Sequence, residues 1–420
     1  MTSRRVWGAI LASCGLVGIA VATLVPYAID EARQQPTAWC LACGGLWLTD
    51  FISNVALFLP LGVGLALLGN GVFAAIVVTT GLSFLVELCQ FIGLPPGRSS
   101  ALADVVANGA GGAIGAAVVI GWTQFARPRP RASALLATGW AMYGAALMLA
   151  TAFVLGPRDD DMKAPFSVTP SPLPHAPGYG WYEDIVDSAI IASVPVRRGF
   201  TGPVIMRASR NVDSLTASVY LRGRDPTYAF VPIVYVHVRN DTSPVLLVGE
   251  HHHDAELRAT RRAWDYGLTF PSLLLVDAFA ERTHNSPEPL ILEASVTRSA
   301  MRLSGLSSTV HDSALLKLDP TLGWSLIQTV VTVDSPLAAL AQGLWLCLLA
   351  FPVGWWSAQA SRWKWLTGFF GGALLTAGGA MGPVLLGVSP MPFTHWVGLA
   401  GCLTIGAVCS SHLVRRNSRP

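Results

Sequence analysis

The stretch 50-DFISNVALFLPLGVGLALL-68 decides the fold, read with 83-SFLVELCQ-90 and 98-RSSALADVVANGAGG-112. Each belongs to an apolar run of membrane-spanning length, and each carries polar side chains at helical spacing. Asp50 and Asn54 are four residues apart, as are Asp104 and Asn108; Glu87 and Gln90 are three apart. Pairs at these spacings share one face of a helix. Ionisable groups inside membrane-length helices are costly, usually face protein or a wet cavity, and raise a functional hypothesis by default.

The whole chain fits that setting. Of its 420 residues 52% are hydrophobic and only 13% are charged, about half the roughly 25% usual in a soluble domain. Apolar runs near residues 6–28, 51–69, 72–93, 103–123, 134–156, 336–357, 364–387 and 393–413 each exceed the ~18 residues that mark a span. The expected class is a polytopic α-helical membrane protein of about eight spans. The net charge of +3 is small, and its basic residues form no base-reading pattern with aromatics, which argues against nucleic-acid binding. Arg4-Arg5 and the box Leu11-Ala12-Ser13-Cys14 imitate a secretion signal, but the apolar run continues to Tyr27. The first span is therefore read as retained.

Basic residues orient the spans. Arg4 and Arg5 precede the first, Arg127, Arg129 and Arg131 follow the fourth, Arg362 and Lys364 separate the sixth from the seventh, and Arg415, Arg416 and Arg419 follow the eighth. With the N-terminus cytoplasmic all four clusters are cytoplasmic; the reverse orientation violates the positive-inside bias at every one. The expectation is a cytoplasmic (inner) membrane protein of a bacterium, with both termini inside and residues 157–335 outside.

Residues 157–335 read differently. A Pro-rich stretch over 157–184 suggests an extended linker. From Ile185 to residue 335 short β-type runs follow: Leu215–Leu221, Val231–Val238, Val245–Val248, Leu257–Arg261, Ser272–Val276, Leu290–Val296 and Ala314–Leu318, punctuated by turn signals such as Asn240-Asp241 and Asn285-Ser286-Pro287. That pattern predicts an inserted all-β sandwich, jelly-roll-like. The expected organisation is thus a membrane domain over 1–156, the linker, the sandwich over 185–335, and three further spans over 336–420.

Orientation gives the polar set a common depth. Asp50 and Asn54 open a span that runs inward, Glu87 and Gln90 close one that runs outward, Asp104 and Asn108 open the next, and Arg98 lies in the loop before it. Gly109, Gly111, Gly112 and Gly115 would let the helices approach closely. Pro60 and Gly62 suggest a kink in the second span.

The series Asp50, Asn54, Phe58, Pro60, Gly62, then Glu87 and Gln90, then Arg98, Asp104 and Asn108 with its glycines resembles the VanZ-like membrane family over roughly residues 5–125. The archetype of that family is associated with low-level resistance to the glycopeptide teicoplanin, so the resemblance implies a role in the bacterial cell envelope. The family often has a second acidic residue between the arginine and Asp104; here Ser99–Ala103 carries none. More weakly, Ser218–Arg262 resembles concanavalin-like (LamG-type) jelly rolls.

Two readings of the polar set stand side by side. It forms intramembrane hydrogen-bonded glue, or it lines a pocket at the outer leaflet. In the second reading the ligand-binding residues are Asp50, Asn54, Glu87, Gln90, Arg98, Asp104 and Asn108. Arg98 suits a phosphate or carboxylate, the amides suit sugar hydroxyls, and the expected partner is a membrane lipid headgroup or a polyprenyl-phosphate-linked glycan. An enzyme using Glu87 and Asp104 as acid and base is the competing reading; no nucleophile, metal set or cofactor loop accompanies them. Among the cysteines, Cys40 and Cys43 form a C-x-x-C outside any βαβ context, read as a local disulfide or two free thiols. His251-His252-His253-Asp254 reads as a hairpin tip, since adjacent strand residues point alternately and cannot all face one metal. Trp181, Tyr182, Trp264 and Tyr266 are core aromatics or stacking platforms for a cell-envelope polysaccharide, which makes a membrane-anchored glycan-recognition module the third reading. His395 is the exception in otherwise apolar C-terminal spans.

Overall fold

The computed structural model describes residues 3–24, 45–94, 100–158, 166–170, 185–191, 194–195, 200–201, 212–220, 230–238, 244–279, 289–307, 311–328 and 335–417. Among these residues, eight helices are long and apolar enough to cross a membrane. They are α1 (Ser3–Leu24), α2 (Trp47–Leu68), α3 (Val72–Phe91), α4 (Leu102–Ile120), α5 (Pro130–Leu155), α6 (Pro336–Gln359), α7 (Lys364–Leu386) and α8 (Phe393–Asn417). Between α5 and α6 the chain forms two antiparallel sheets. The protein is a helical membrane protein with an inserted β domain, divided into two units: residues 1–133 with 266–269, and residues 134–265 with 270–420.

Glycine sets the packing of the first unit. Lipid offers no hydrophobic drive for helices to associate, so close backbone contact must do so. A Cβ on Gly62 of α2 would strike the backbone of Gly112 on α4; one on Gly111 would strike the Val55 carbonyl, and one on Gly115 the Leu59 carbonyl. The other face of α4 meets α3, where Gly109 and Gly112 pack on Thr80 and Thr79. On the opposite side of α2, Gly64 meets the backbone of Ala12 and Gly15 of α1 meets Leu61. The order across the bundle is therefore α1, α2, α4, α3. Pro60 does not end α2, which runs on to Leu68 and stops at Gly69 with φ +108°. At its start, the amides of Leu48 and Thr49 donate to the carbonyl of Gly267 and the Thr49 hydroxyl accepts from the Thr269 amide, so residues 266–269 satisfy donors that a helix terminus leaves open.

The second unit joins α5 to α6, α7 and α8 around Ala141, Met148, Trp345, Leu349, Val353, Leu375 and Leu399. A Cβ on Gly354 of α6 would meet the Leu403 carbonyl of α8, and one on Gly406 of α8 the Phe351 carbonyl. Cys347 and Cys402 face each other across this seam. Within α7, Ala377–Met381 forms a π turn. The Gly379 carbonyl there accepts the amide of Met391, from the loop before α8.

The β domain has strands β1 (Phe166–Pro170), β2 (Ile185–Ile191), β3 (Val194–Pro195), β4 (Phe200–Thr201), β5 (Val212–Tyr220), β6 (Val231–Val238), β7 (Pro244–His251), β8 (Asp254–Ala259), β9 (Leu273–Leu275), β10 (Leu290–Val296), β11 (Ala300–Leu306) and β12 (His311–Lys317). One sheet has the order β4-β1-β6-β7-β8-β9 and the other β12-β11-β10-β5-β2-β3. In β10 and β11, Leu290, Leu292, Met301 and Leu303 are buried while Glu293 and Arg302 are exposed, the alternation of a sheet with one wet face. By contrast Val231–Val236 is buried throughout, so β6 is covered on both faces. A satellite cluster of Phe230, Tyr235 and Leu247 forms here, with the Arg258 guanidinium 4.2 Å over the Phe230 ring.

Five of these strands, β1 to β4 and β11, lie outside the runs read from the sequence. The Pro-rich stretch contains β1, which pairs with β6 from Phe166 opposite Val238 to Pro170 opposite Val234. β11 follows β10 through Thr297-Arg298-Ser299, a turn with no glycine, proline or asparagine to announce it; the Thr297 hydroxyl accepts the Ala300 amide instead. The histidine run does form a hairpin tip: His251 pairs with Asp254 and His252 takes φ 60°.

Overpacking a tight seam costs about 1–3 kcal/mol. Gly62→Val and Gly112→Val should each lower the Tm of the detergent-solubilised chain by several degrees, whereas Gly18→Val on α1, where a Cβ meets open space, should not. Equal Tm values for all three in a thermal size-exclusion assay would remove glycine packing as the basis of the first bundle.

Candidate functional site

The packing of α2, α3 and α4 brings the polar set together at one end of the first bundle, where α2 and α4 begin and α3 ends. Asn54 Nδ2 donates to Asp104 Oδ1 at 2.8 Å, linking α2 to α4. The Ala101 amide donates to Glu87 Oε2 at 2.6 Å, so a carboxylate on α3 caps the start of α4. Asn108 Nδ2 donates to Ser83 Oγ at 2.8 Å one turn deeper on the same two helices. Glu87 and Asp104 lie within electrostatic reach of each other, as do Asp104 and Asp50.

Burial is graded along this set. Asp50 is exposed, Asn54 and Asp104 are half-buried, and Glu87, Gln90 and Asn108 are 9%, 8% and 5% exposed. Exposure therefore falls from Asp50, at the start of α2, to the buried Asn108–Ser83 pair. Asn108 Oδ1 is buried with no hydrogen-bond partner among the described residues. Among the described residues no lysine, arginine or histidine pairs with Glu87 or Asp104. Arg98 lies outside the described residues, as do Cys40, Cys43, Trp181 and Tyr182.

Ser83 is the member that sequence reasoning missed. Its hydroxyl is fully buried, and its place four residues before Glu87 was the signal available, because that spacing puts both on one stripe of α3. A serine among apolar residues is less conspicuous than a carboxylate.

The matching family model is described as VanZ/LLP1, and it covers residues 15–123. Over residues 15–123 the chain is similar to the VanZ/LLP1 family. No curated protein and no solved structure matches the chain. The VanZ-like segment spans α1 from its middle through α4, so every member of the polar set lies inside it.

A second polar constellation occupies the other unit. Asp319 Oδ1 accepts from the Thr321 amide at 2.8 Å and from the Thr321 hydroxyl. Gln342 on α6 donates to the same hydroxyl oxygen, and His395 Nδ1 at the start of α8 lies 3.2 Å from it. Gln342 Nε2 also lies 3.5 Å from His395 Nδ1, so the imidazole closes a hydrogen-bonded cluster whose other end is the buried Asp319 carboxyl. Trp264 is half-buried and stacks edge-on to Phe270, while Tyr266 is exposed. At the hairpin tip, His251 Nδ1 lies 3.5 Å from the buried Glu256, which Arg258 holds with two hydrogen bonds. Burial pushes His251 down, against the pull of Glu256.

Burial raises the Asp319 carboxyl above the ordinary value of about 3.9, with the Thr321 hydrogen bonds opposing. A carboxyl that binds its proton more tightly in the folded state loses stability as pH rises from the unfolded value through the folded one. The Tm difference between the native chain and Asp319→Asn should therefore move against the native chain as pH climbs through that window. A pH-independent difference in a thermal-shift series would show that Asp319 is not held in a desolvated state.

Proposed function

We propose that the VanZ-like domain binds the headgroup of an envelope lipid, or of a lipid-linked glycan, in the cleft between α2, α3 and α4. The observation that carries this reading is a buried amide oxygen on Asn108 with no partner among the described residues, one turn from two carboxylates that each have an oxygen accepting from no described residue. Pure interhelical glue would be expected to satisfy its own acceptors, because a buried unsatisfied group costs about 1–3 kcal/mol. A graded polar cleft with unused acceptors suits a ligand that brings donors.

The distribution of basic residues supports the membrane depth. Arg4 and Arg5, Arg127 to Arg131, Arg362 with Lys364, and Arg415 to Arg419 fall on the side opposite the cleft if successive spans alternate. The positive-inside bias then makes the cleft face the outer leaflet of a bacterial cytoplasmic membrane, with the β domain extracytoplasmic. Headgroups lie at that depth.

The intact chain, purified gently and examined by native mass spectrometry, should carry one headgroup class enriched over the bulk membrane, and Arg98→Ala should lose that enrichment. Bulk-like lipid on both proteins would refute the binding reading. Catalysis is separable from binding: Glu87→Gln and Asp104→Asn keep an acceptor and remove the titratable proton. Full complementation by both variants would leave binding intact and end the acid–base alternative.

A further inference from the structure

Which headgroup the cleft takes follows from its unused atoms. Glu87 Oε2 is occupied by the Ala101 amide and Asp104 Oδ1 by Asn54. Glu87 Oε1 and Asp104 Oδ2 accept from none of the described residues, and Asn108 Oδ1 is a buried orphan. Asn108 is 5% exposed. Its Nδ2 is committed to Ser83, so its oxygen sits in the seam between α3 and α4, one turn below the carboxylates. The three open positions are all acceptors. Two belong to carboxylates that repel each other and that no described cation offsets.

Resting on the headgroup reading, we propose that the cleft takes a primary ammonium group, such as that of an ethanolamine headgroup. A primary ammonium carries a positive charge and three N–H donors, with no acceptor of its own. It would complete Glu87, Asp104 and Asn108 at once and offset the buried negative charge. A phosphate or carboxylate adds acceptors where acceptors are already in excess. A sugar hydroxyl brings a donor without the charge. A trimethylammonium brings the charge with no N–H, and is bulkier. The graded exposure from Asp50 to Asn108 provides a polar path for an amine at the end of a flexible headgroup.

The test uses the full chain in nanodiscs of phosphatidylcholine, doped in turn with phosphatidylethanolamine, its N-methyl and N,N-dimethyl forms, and phosphatidylglycerol. Lipid retained in native mass spectrometry and Tm are both read. Retention should fall along the methylation series by roughly tenfold for each N–H removed, the worth of one charge-assisted hydrogen bond. Asp104→Asn, which keeps the side-chain shape, should flatten the series; Asn108→Leu should do the same where it folds. Equal retention across the series overturns the ammonium assignment. If phosphatidylglycerol is retained by the native chain and released by Asp104→Asn, the ammonium assignment falls while the headgroup reading survives. If no lipid is retained, both fall. If calcium chloride raises Tm and phosphatidylethanolamine does not, the cleft holds an inorganic cation and the assignment is likewise overturned.

Discussion

Everything at the candidate site depends on the backbone contact between α2 and α4. The backbones approach so closely there that a Cβ on Gly62 would strike the backbone of Gly112. In lipid such contact is the main attraction available, and it is also a ruler. With the axes at that separation, a side chain as short as asparagine spans from Asn54 to Asp104 two turns above the contact. Separate the helices by one methyl group and that bond is out of range. The same α4 glycine faces Thr79 of α3, so one residue sets both gaps that bound the cleft.

The chemistry of the cleft is a consequence of that geometry rather than of any one residue. Carboxylates on neighbouring helices would repel and splay the bundle if nothing else held it. Here the Ala101 amide and the Asn54 amide each take one carboxylate oxygen. The remaining oxygens accept no hydrogen bond from a described residue.

How much of this was legible in sequence differs by element. The eight spans were visible because bilayer thickness demands long apolar runs, and their ends agree with the helices to within a few residues. The pairing of Asn54 with Asp104 was implied by matching i,i+4 stripes at corresponding ends of two spans. Ser83 was hidden because a hydroxyl among apolar neighbours is ordinary in a membrane helix. Most strands were legible from alternation. β1 was not, because proline flanks suggest a linker, while strand pairing with β6 is a long-range choice that local composition cannot encode. Likewise α5 finds its partners among α6, α7 and α8, across nearly two hundred residues, and no local pattern announces that.

The π turn in α7 has a consequence for how this helix can change. A π turn is one residue wider than the α-helical turn around it, which makes Ala377–Met381 equivalent to a single inserted residue. Past it, the segment from Gly382 to Leu386 is rotated by about 100° relative to an uninterrupted helix. Gly378 meets Ala145 of α5 inside the turn and Gly382 meets Leu149 in that rotated frame, and the carbonyl of Gly379, four residues before Pro383, which has no N–H, accepts from Met391. Removing one residue from this turn would restore a regular helix and unscrew its end from α5. The irregularity thus acts as a phase correction: it resets which side of α7 faces its neighbour partway along a single rod.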